Sequence, residues 1–136
     1  MRRYLLDTGP FAAYLLGRSA AVALIDPWID RQEVATSILV FAEVTEYLKG
    51  MADFTLRHMQ LRQQLQEIRP YFLTYRILET YAEIRRSLRP PHGPGLIGDI
   101  DTLIAATALE RNLTLVTLDK DFERIPNLKV MLIRLR

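Results

Sequence analysis

Asp7, Glu43, Asp101 and Asp119 are four carboxylates spread over most of a 136-residue chain, each beside or inside a segment patterned as a strand or a helix. Asp7 ends the apolar run Tyr4-Leu5-Leu6 and is followed by Gly9-Pro10. Glu43 lies in an apolar helical stripe with Leu39, Val40 and Tyr47, where a carboxylate is costly to bury unless a cation or hydrogen-bond donors meet it. Asp101 shares a helical face with Ile104, Ala105 and Ala108, and Asp119 follows Thr117-Leu118. Each acid alone has an ordinary reading. Glu43 can reach solvent from the edge of its stripe, Asp101 is a first-turn acid favoured by the helix dipole, and Asp99 stands where an N-cap belongs. Asp119 and Asp121 can be plain turn acids. Together they predict a different arrangement, in which Asp7, Glu43, Asp101 and Asp119 meet at one mouth of a sheet. Four carboxylates about one point do not all stay ionised unless cations neutralise them. With oxygen donors only, the expected ion is Mg²⁺ or Mn²⁺. Such a site suits phosphodiester hydrolysis, in which the metal activates water and stabilises the leaving oxygen.

The elements that must position these acids follow from local patterning. Tyr4-Leu5-Leu6 reads as a buried strand, with Pro10 in the first turn of a helix that Gly17 stops. Ser19 is expected to cap a second helix, which Pro27 kinks or ends. Val34-Ala35-Thr36 reads as the second strand, and Ser37 caps a helix from Ile38 to Lys49 closed by Gly50. A further helix is expected from about Ala52 to Ile68, ending before Pro70. Tyr71 to Tyr75 reads as a third strand and Leu78 to Leu88 as a helix. Arg89 to Gly98, rich in Pro and Gly, is the one long loop. A helix from Asp99 to about Arg111 follows, then a fourth strand at Leu113 to Thr117 and a fifth at Leu128 to Ile133. Strands alternating with helices predict an α/β sandwich: a five-stranded, mostly parallel sheet flanked by helices. In such sheets the functional crevice lies off the carboxyl ends of the strands, where Asp7 and Asp119 fall.

Composition narrows the class. The length implies a single domain, 1–136. The hydrophobic share of 49% and the charged share of 25% are those of a folded chain, against disorder. The chain has no cysteine, which excludes disulfides, thiolate metal sites and a cysteine nucleophile, and is compatible with a reducing cytoplasm. No signal peptide is evident, and no apolar run approaches the roughly 18 residues of a membrane span. The net charge is only +2, yet 15 of the 18 basic residues are arginine, a bias toward phosphate and base recognition.

At this point the residues resemble a known family. Leu5-Leu6-Asp7-Thr8, Glu43 in a helix after strand two, the run from Asp101 to Ala106, and Leu115 to Phe122 are similar to the motifs of PIN-domain nucleases, in order and over almost the whole chain. Within that family the chain resembles the VapC-like toxins of type II toxin–antitoxin systems. The resemblance implies a PIN-like five-stranded parallel sheet, an acidic Mg²⁺ or Mn²⁺ site and RNA as substrate, with tRNA or ribosomal RNA as the structured targets. By position it makes Asp7, Glu43, Asp101 and Asp119 the catalytic and metal-binding acids. Asp99 is then an auxiliary ligand at most, Asp121 a residue able to share the work of Asp119, and Thr8 and Thr117 hydroxyls that orient carboxylates or water. It also implies a homodimer and a cognate antitoxin lying along the helices between about Ser37 and Ile68. Phe41, Tyr47, Leu48, Met51, Phe54 and Met59 are candidates for lining its groove, or else for the core. Arg89, in the long loop, is a candidate guide for the RNA backbone.

Other readings fit less well. Leu6-Asp7-Thr8-Gly9 also looks like the active-site tetrapeptide of aspartic proteases, but those are all-β and this pattern is α/β. Phosphatases of the haloacid dehalogenase class want a second Asp two residues after the first, where this chain has Gly9. A receiver domain would want an early acidic pair and a late lysine after a strand. His58, expected on a solvated helix face, and His92, in the loop, lie far apart and support no histidine-based nuclease. A PIN-type RNA-processing nuclease without an antitoxin, and a non-catalytic RNA- or protein-binding module on the same fold, stay as alternatives.

Overall fold

Three residues after the amino terminus the chain enters β1 (Tyr4–Leu6), the strand on which the sheet is built; the structure, a computed structural model, describes residues 1–135. There follow α1 (Thr8–Leu15), α2 (Ser19–Asp30), β2 (Val34–Ser37), α3 (Ile38–Leu48), α4 (Phe54–Gln64) and β3 (Arg69–Tyr71). The second half comprises α5 (Tyr75–Leu88), α6 (Asp99–Glu110), β4 (Thr114–Thr117), a short 3-10 helix over Lys120–Arg124, and β5 (Val130–Leu132). The strands pair in the order β3-β2-β1-β4-β5, and every pairing is parallel. Leu6 stands level with Thr36 on one side and Val116 on the other, so the ends of β1, β2 and β4 lie side by side. The chain leaves β1 for β2 on one side and reaches β4 on the other only after α6. That reversal makes the carboxyl end of β1 the switch point of the sheet.

Local chemistry accounts for most boundaries. Gly17, at φ +78°, ends α1 in a Schellman motif: its N–H donates to the Tyr14 carbonyl and that of Arg18 to the Ala13 carbonyl. The Ser37 hydroxyl accepts from the Leu39 N–H at 3.1 Å and caps α3. The strands bury Leu5, Leu6, Val34, Ala35, Leu115 and Val116 completely, against Phe11, Val40, Val44, Ile104 and Ala105 from the helices. No single described helix is long and apolar enough to cross a membrane; α1 and α2 have the length only together and meet at 99°.

Several expectations shift. Ser19 is the first residue of α2 and makes no capping bond. Pro27 neither ends nor interrupts that helix, which continues to Asp30. The buried Ile25 and Trp28, the latter stacked on Tyr4 at 4.0 Å between ring centroids, offset the roughly 3 kcal/mol of an interior proline. The third strand is Arg69–Tyr71, not Tyr71–Tyr75; Pro70 is accommodated because β3 is an edge strand. The Thr74 hydroxyl then accepts from the Ile77 N–H at 3.2 Å, so α5 starts three residues before Leu78. The 3-10 helix at Lys120–Arg124 had no counterpart in the sequence pattern.

Candidate metal centre

The backbone of Asp7 extends β1 by one bond, its N–H donating to the Val116 carbonyl at 3.0 Å, and its own carbonyl accepts the Phe11 N–H of α1. Its side chain makes no capping bond to that helix. The carboxylate is left for Thr117 at the end of β4, whose fully buried hydroxyl donates to Asp7 Oδ2 at 2.7 Å. The same Thr117 oxygen accepts the Asp119 N–H at 3.1 Å, and Asp119 Oδ1 accepts the Asp121 N–H at 2.9 Å. One run of hydrogen bonds thus links the acid after β1 to the turn after β4. Glu43 reaches the same edge from the second turn of α3, where the Thr8 hydroxyl donates to its Oε1. Asp101 comes from α6, which runs antiparallel to the strands and presents its first turn at their carboxyl ends.

Electrostatics ties these acids together. Burial holds the Asp7 carboxyl above the usual carboxylate range; the Thr117 hydroxyl and the Thr8 N–H oppose this, and the charges of Glu43 and Asp119 add to it. Asp101 is pushed up to about 6, first by burial and then by the charges of Asp7, Glu43, Asp119 and Asp121. Among the described residues none of Asp7, Glu43, Asp101 and Asp119 has a basic partner within ion-pair distance. Nor do any three acids there stand close enough to grip one ion as they are. The charges of Glu43 and Asp119 raise the proton affinity of Asp7 and Asp101, and the four do not close into a finished cage.

The two remaining candidates are placed differently. Asp99 is the first residue of α6, after Gly98 in the cap position, so it caps nothing. Its Oδ1 accepts from Arg85 Nη1 at 2.6 Å and from the Tyr81 hydroxyl at 3.1 Å, turning the carboxylate toward α5. Asp121 is paired with Arg124 at 3.2 Å. His58 is not on a solvated face: its ring lies between Phe41 and Phe54, at 5.6 and 5.1 Å, and its Nε2 is buried without a partner. His92 and Arg89 are exposed in and before the long loop. Two contributors escaped the sequence reading. Thr36 joins the strand ends, its buried hydroxyl donating to the Leu6 carbonyl at 2.8 Å, and its place as the last apolar-run residue of β2 was the available cue. Arg85 carried no cue, since its partner lies in another helix.

The model of the PIN domain family matches residues 4–128. The chain belongs to the PIN domain family. No curated protein matches it. Among solved structures, this PIN domain is similar to VapBC2 from Rickettsia felis bound to a DNA fragment from the promoter. The identity is 24%, over 96% of this chain and 98% of that one, with a TM-score of 0.84. It is also similar to DNA-bound VapBC from Salmonella typhimurium, at 17% identity over 96% and 98% of the two chains and a TM-score of 0.85. FitAcB from Neisseria gonorrhoeae matches at 25% identity over 94% and 96%, with a TM-score of 0.80.

The donor set of this PIN domain fits a hard divalent cation. It is made of carboxylate oxygens, with no arginine or lysine paired to them among the described residues, in a position where burial and neighbouring negative charge already favour protons on Asp7 and Asp101. A cation that displaced those protons would remove the repulsion.

Proposed function

We propose that this PIN domain, as one domain over residues 1–136, is a metal-dependent endoribonuclease and the toxin of a toxin–antitoxin pair, acting in the cytoplasm. The observation that carries the reading is the set of four unpaired acids at the switch point of the sheet, two of them with raised proton affinity. Asp7, Glu43, Asp101 and Asp119 would hold Mg²⁺ or Mn²⁺. Such an ion supplies charge to polarise water and the phosphodiester. The chain's own part is orientation. Thr117 fixes one oxygen of Asp7, and Thr8 fixes one oxygen of Glu43. A bound cation would lower the proton affinity of Asp101 and hold its carboxylate ionised.

Likeness over nearly the full length to VapBC and FitAcB structures supports the toxin reading and, with it, an antitoxin partner. An open groove of ≈ 490 Å³ between α3 and α4, lined by Ile38, Phe41, Met59, Arg62 and Leu65, is where an apolar helix would dock. Leu48 belongs to the core and Tyr47 and Met59 to the surface, with 58% and 55% of their area exposed. A homodimer belongs to the same reading, with Phe72 and Tyr75 exposed beside the β3 edge.

The test is incubation of the purified chain, free of any partner, with total RNA in Mg²⁺, Mn²⁺ and EDTA, beside a folded Asp7→Asn protein. Discrete fragments that need metal and vanish in the variant are expected. Intact RNA under every condition would leave a binding module instead, and cutting that ignores both EDTA and the substitution would sink the carboxylate site.

A further inference from the structure

Tyr81 and Arg85, four residues apart, share the face of α5 turned toward the first turn of α6, and Arg89 is the residue just past the end of that helix. Arg85 is held there. Its Nη1 lies 2.6 Å from Asp99 Oδ1, its guanidinium carbon lies 5.7 Å from the centre of the Tyr81 ring, and the Tyr81 hydroxyl donates to the same Asp99 oxygen. A surface ion pair of this kind contributes little to stability, so stability is a poor account of why two donors converge on one carboxylate oxygen. Among the described residues the arrangement leaves most of the five guanidinium N–H groups of Arg85 without a protein acceptor, on a side chain already partly ordered. Arg89, one turn further on, is exposed and has no acidic partner among the described residues. The His92 N–H donates to the Arg89 carbonyl at 2.9 Å, so the chain turns at that point.

The carboxylate that holds Arg85 is two residues from Asp101 in the same helical turn. The first turn of α6 thus carries the anchor of Arg85 and, on a different side, an acid of the centre. A chain of phosphates crossing both would meet arginine on one side and a bound cation at the acids on the other. We propose that Arg85 and Arg89 form a binding ledge for the RNA phosphates next to the one being cut, and that Asp99 is a positioning residue for Arg85 and not a metal ligand. The inference rests on the nuclease reading above and assigns the strand's path across the site.

The test uses the full chain and a labelled RNA that the wild type cuts, with kcat and KM measured over a range of KCl concentrations and Mg²⁺ affinity measured separately by calorimetry. Arg85→Ala and Arg89→Ala are expected to raise KM about 10-fold each with kcat little changed. Each should also flatten the salt dependence of kcat/KM by about 0.7 in log–log slope, as for one lost phosphate contact on a single strand. Arg76→Ala is the control, at the opposite end of α5, where Arg76 pairs with Glu110 at 3.2 Å; it should change neither quantity. Asp99→Ala is expected to raise KM as Arg85→Ala does and to leave Mg²⁺ affinity unchanged. Arginine variants indistinguishable from Arg76→Ala would overturn the ledge. A roughly 10-fold loss of Mg²⁺ affinity in Asp99→Ala would return that residue to the metal site. A wild type that cuts no RNA would remove the functional reading itself, and the ledge with it.

Discussion

The Thr117 hydroxyl and the Asp7 carboxylate, 110 positions apart in sequence, meet at 2.7 Å in a fully buried hydrogen bond. The bond spans the β1–β4 pairing and orients the most buried acid of the centre, while the same hydroxyl oxygen takes the Asp119 N–H. Thr117→Val keeps the shape and removes both bonds. The Asp7 proton affinity, which the hydroxyl lowers, then rises further. Mg²⁺ affinity by calorimetry is expected to fall between about 10- and 100-fold, and Thr117→Ser to restore it. An unchanged affinity in Thr117→Val would show that Asp7 is oriented by packing alone.

The raised proton affinity of Asp101 makes stability depend on pH and on metal. Its folded-state value of about 6 lies above the ordinary carboxylate value of 3.8. Below about pH 4 both folded and unfolded chains carry the proton, and the group has no effect. Between pH 4 and 6 only the folded chain keeps it, so the metal-free protein loses stability as pH rises, and the full penalty stands above 6. Asp101→Asn should therefore raise the melting temperature of metal-free protein at pH 8 by a few degrees, corresponding to about 1 kcal/mol once solvent screening of a half-buried group is allowed for. The same substitution should give no gain at pH 4. Saturating Mg²⁺ should stabilise the wild type more than the variant, and thermal melts at the two pH values, with and without Mg²⁺, check the sign.

Asp119 and Asp121 differ in one respect that decides between them. Asp121 is paired with Arg124, and Asp119 has no basic partner among the described residues. Asp119→Asn is expected to lower kcat/KM at least 100-fold, on the order of 3 kcal/mol of transition-state stabilisation. Asp121→Asn loses only an exposed ion pair and should cost less than about 5-fold. Equal losses in RNA cleavage would mean that the turn acts as one unit.

Gly93 tests the long loop. A Cβ at that position would collide with the Ser87 carbonyl oxygen and lie 2.7 Å from Leu88 Cα, both backbone atoms that have little room to yield. Gly93→Ala should destabilise the fold by about 2 kcal/mol, read as a shift of the urea midpoint at unchanged slope. A midpoint that stays put would mean that the loop re-forms freely around the methyl group.

Much of the fold was legible because the interactions that set it are short-range. The Ser37 cap and the Gly17 stop involve residues two to five positions apart, so the pattern and the structure agree there. The misreadings have the opposite origin. Tyr71 to Tyr75 has strand-like residues, yet β3 is drawn back to Arg69–Tyr71 by its pairing with Ala35–Ser37, and Thr74 is taken by a helix cap. Pro27 reads as a helix breaker, yet the burial of Ile25 and of Trp28, stacked on Tyr4, lets the helix run on. His58 sits on a polar-looking helix, but Phe41, from a different helix, closes over its ring.

The sequence by itself determined the alternation of strands and helices, the all-oxygen character of the acids and the absence of thiol chemistry, since each depends on residue type or on neighbours a few positions away. Tertiary structure alone decided that β1 lies between β2 and β4, and so which acids share an edge. It also decided which acids stay without a partner. Asp99 is engaged by an arginine 14 positions earlier and Asp121 by one three positions later, while Asp7 receives a hydroxyl from the far end of the chain. Ionisation follows the field of every nearby charge and the loss of water around it, and both exist only once distant segments have packed together.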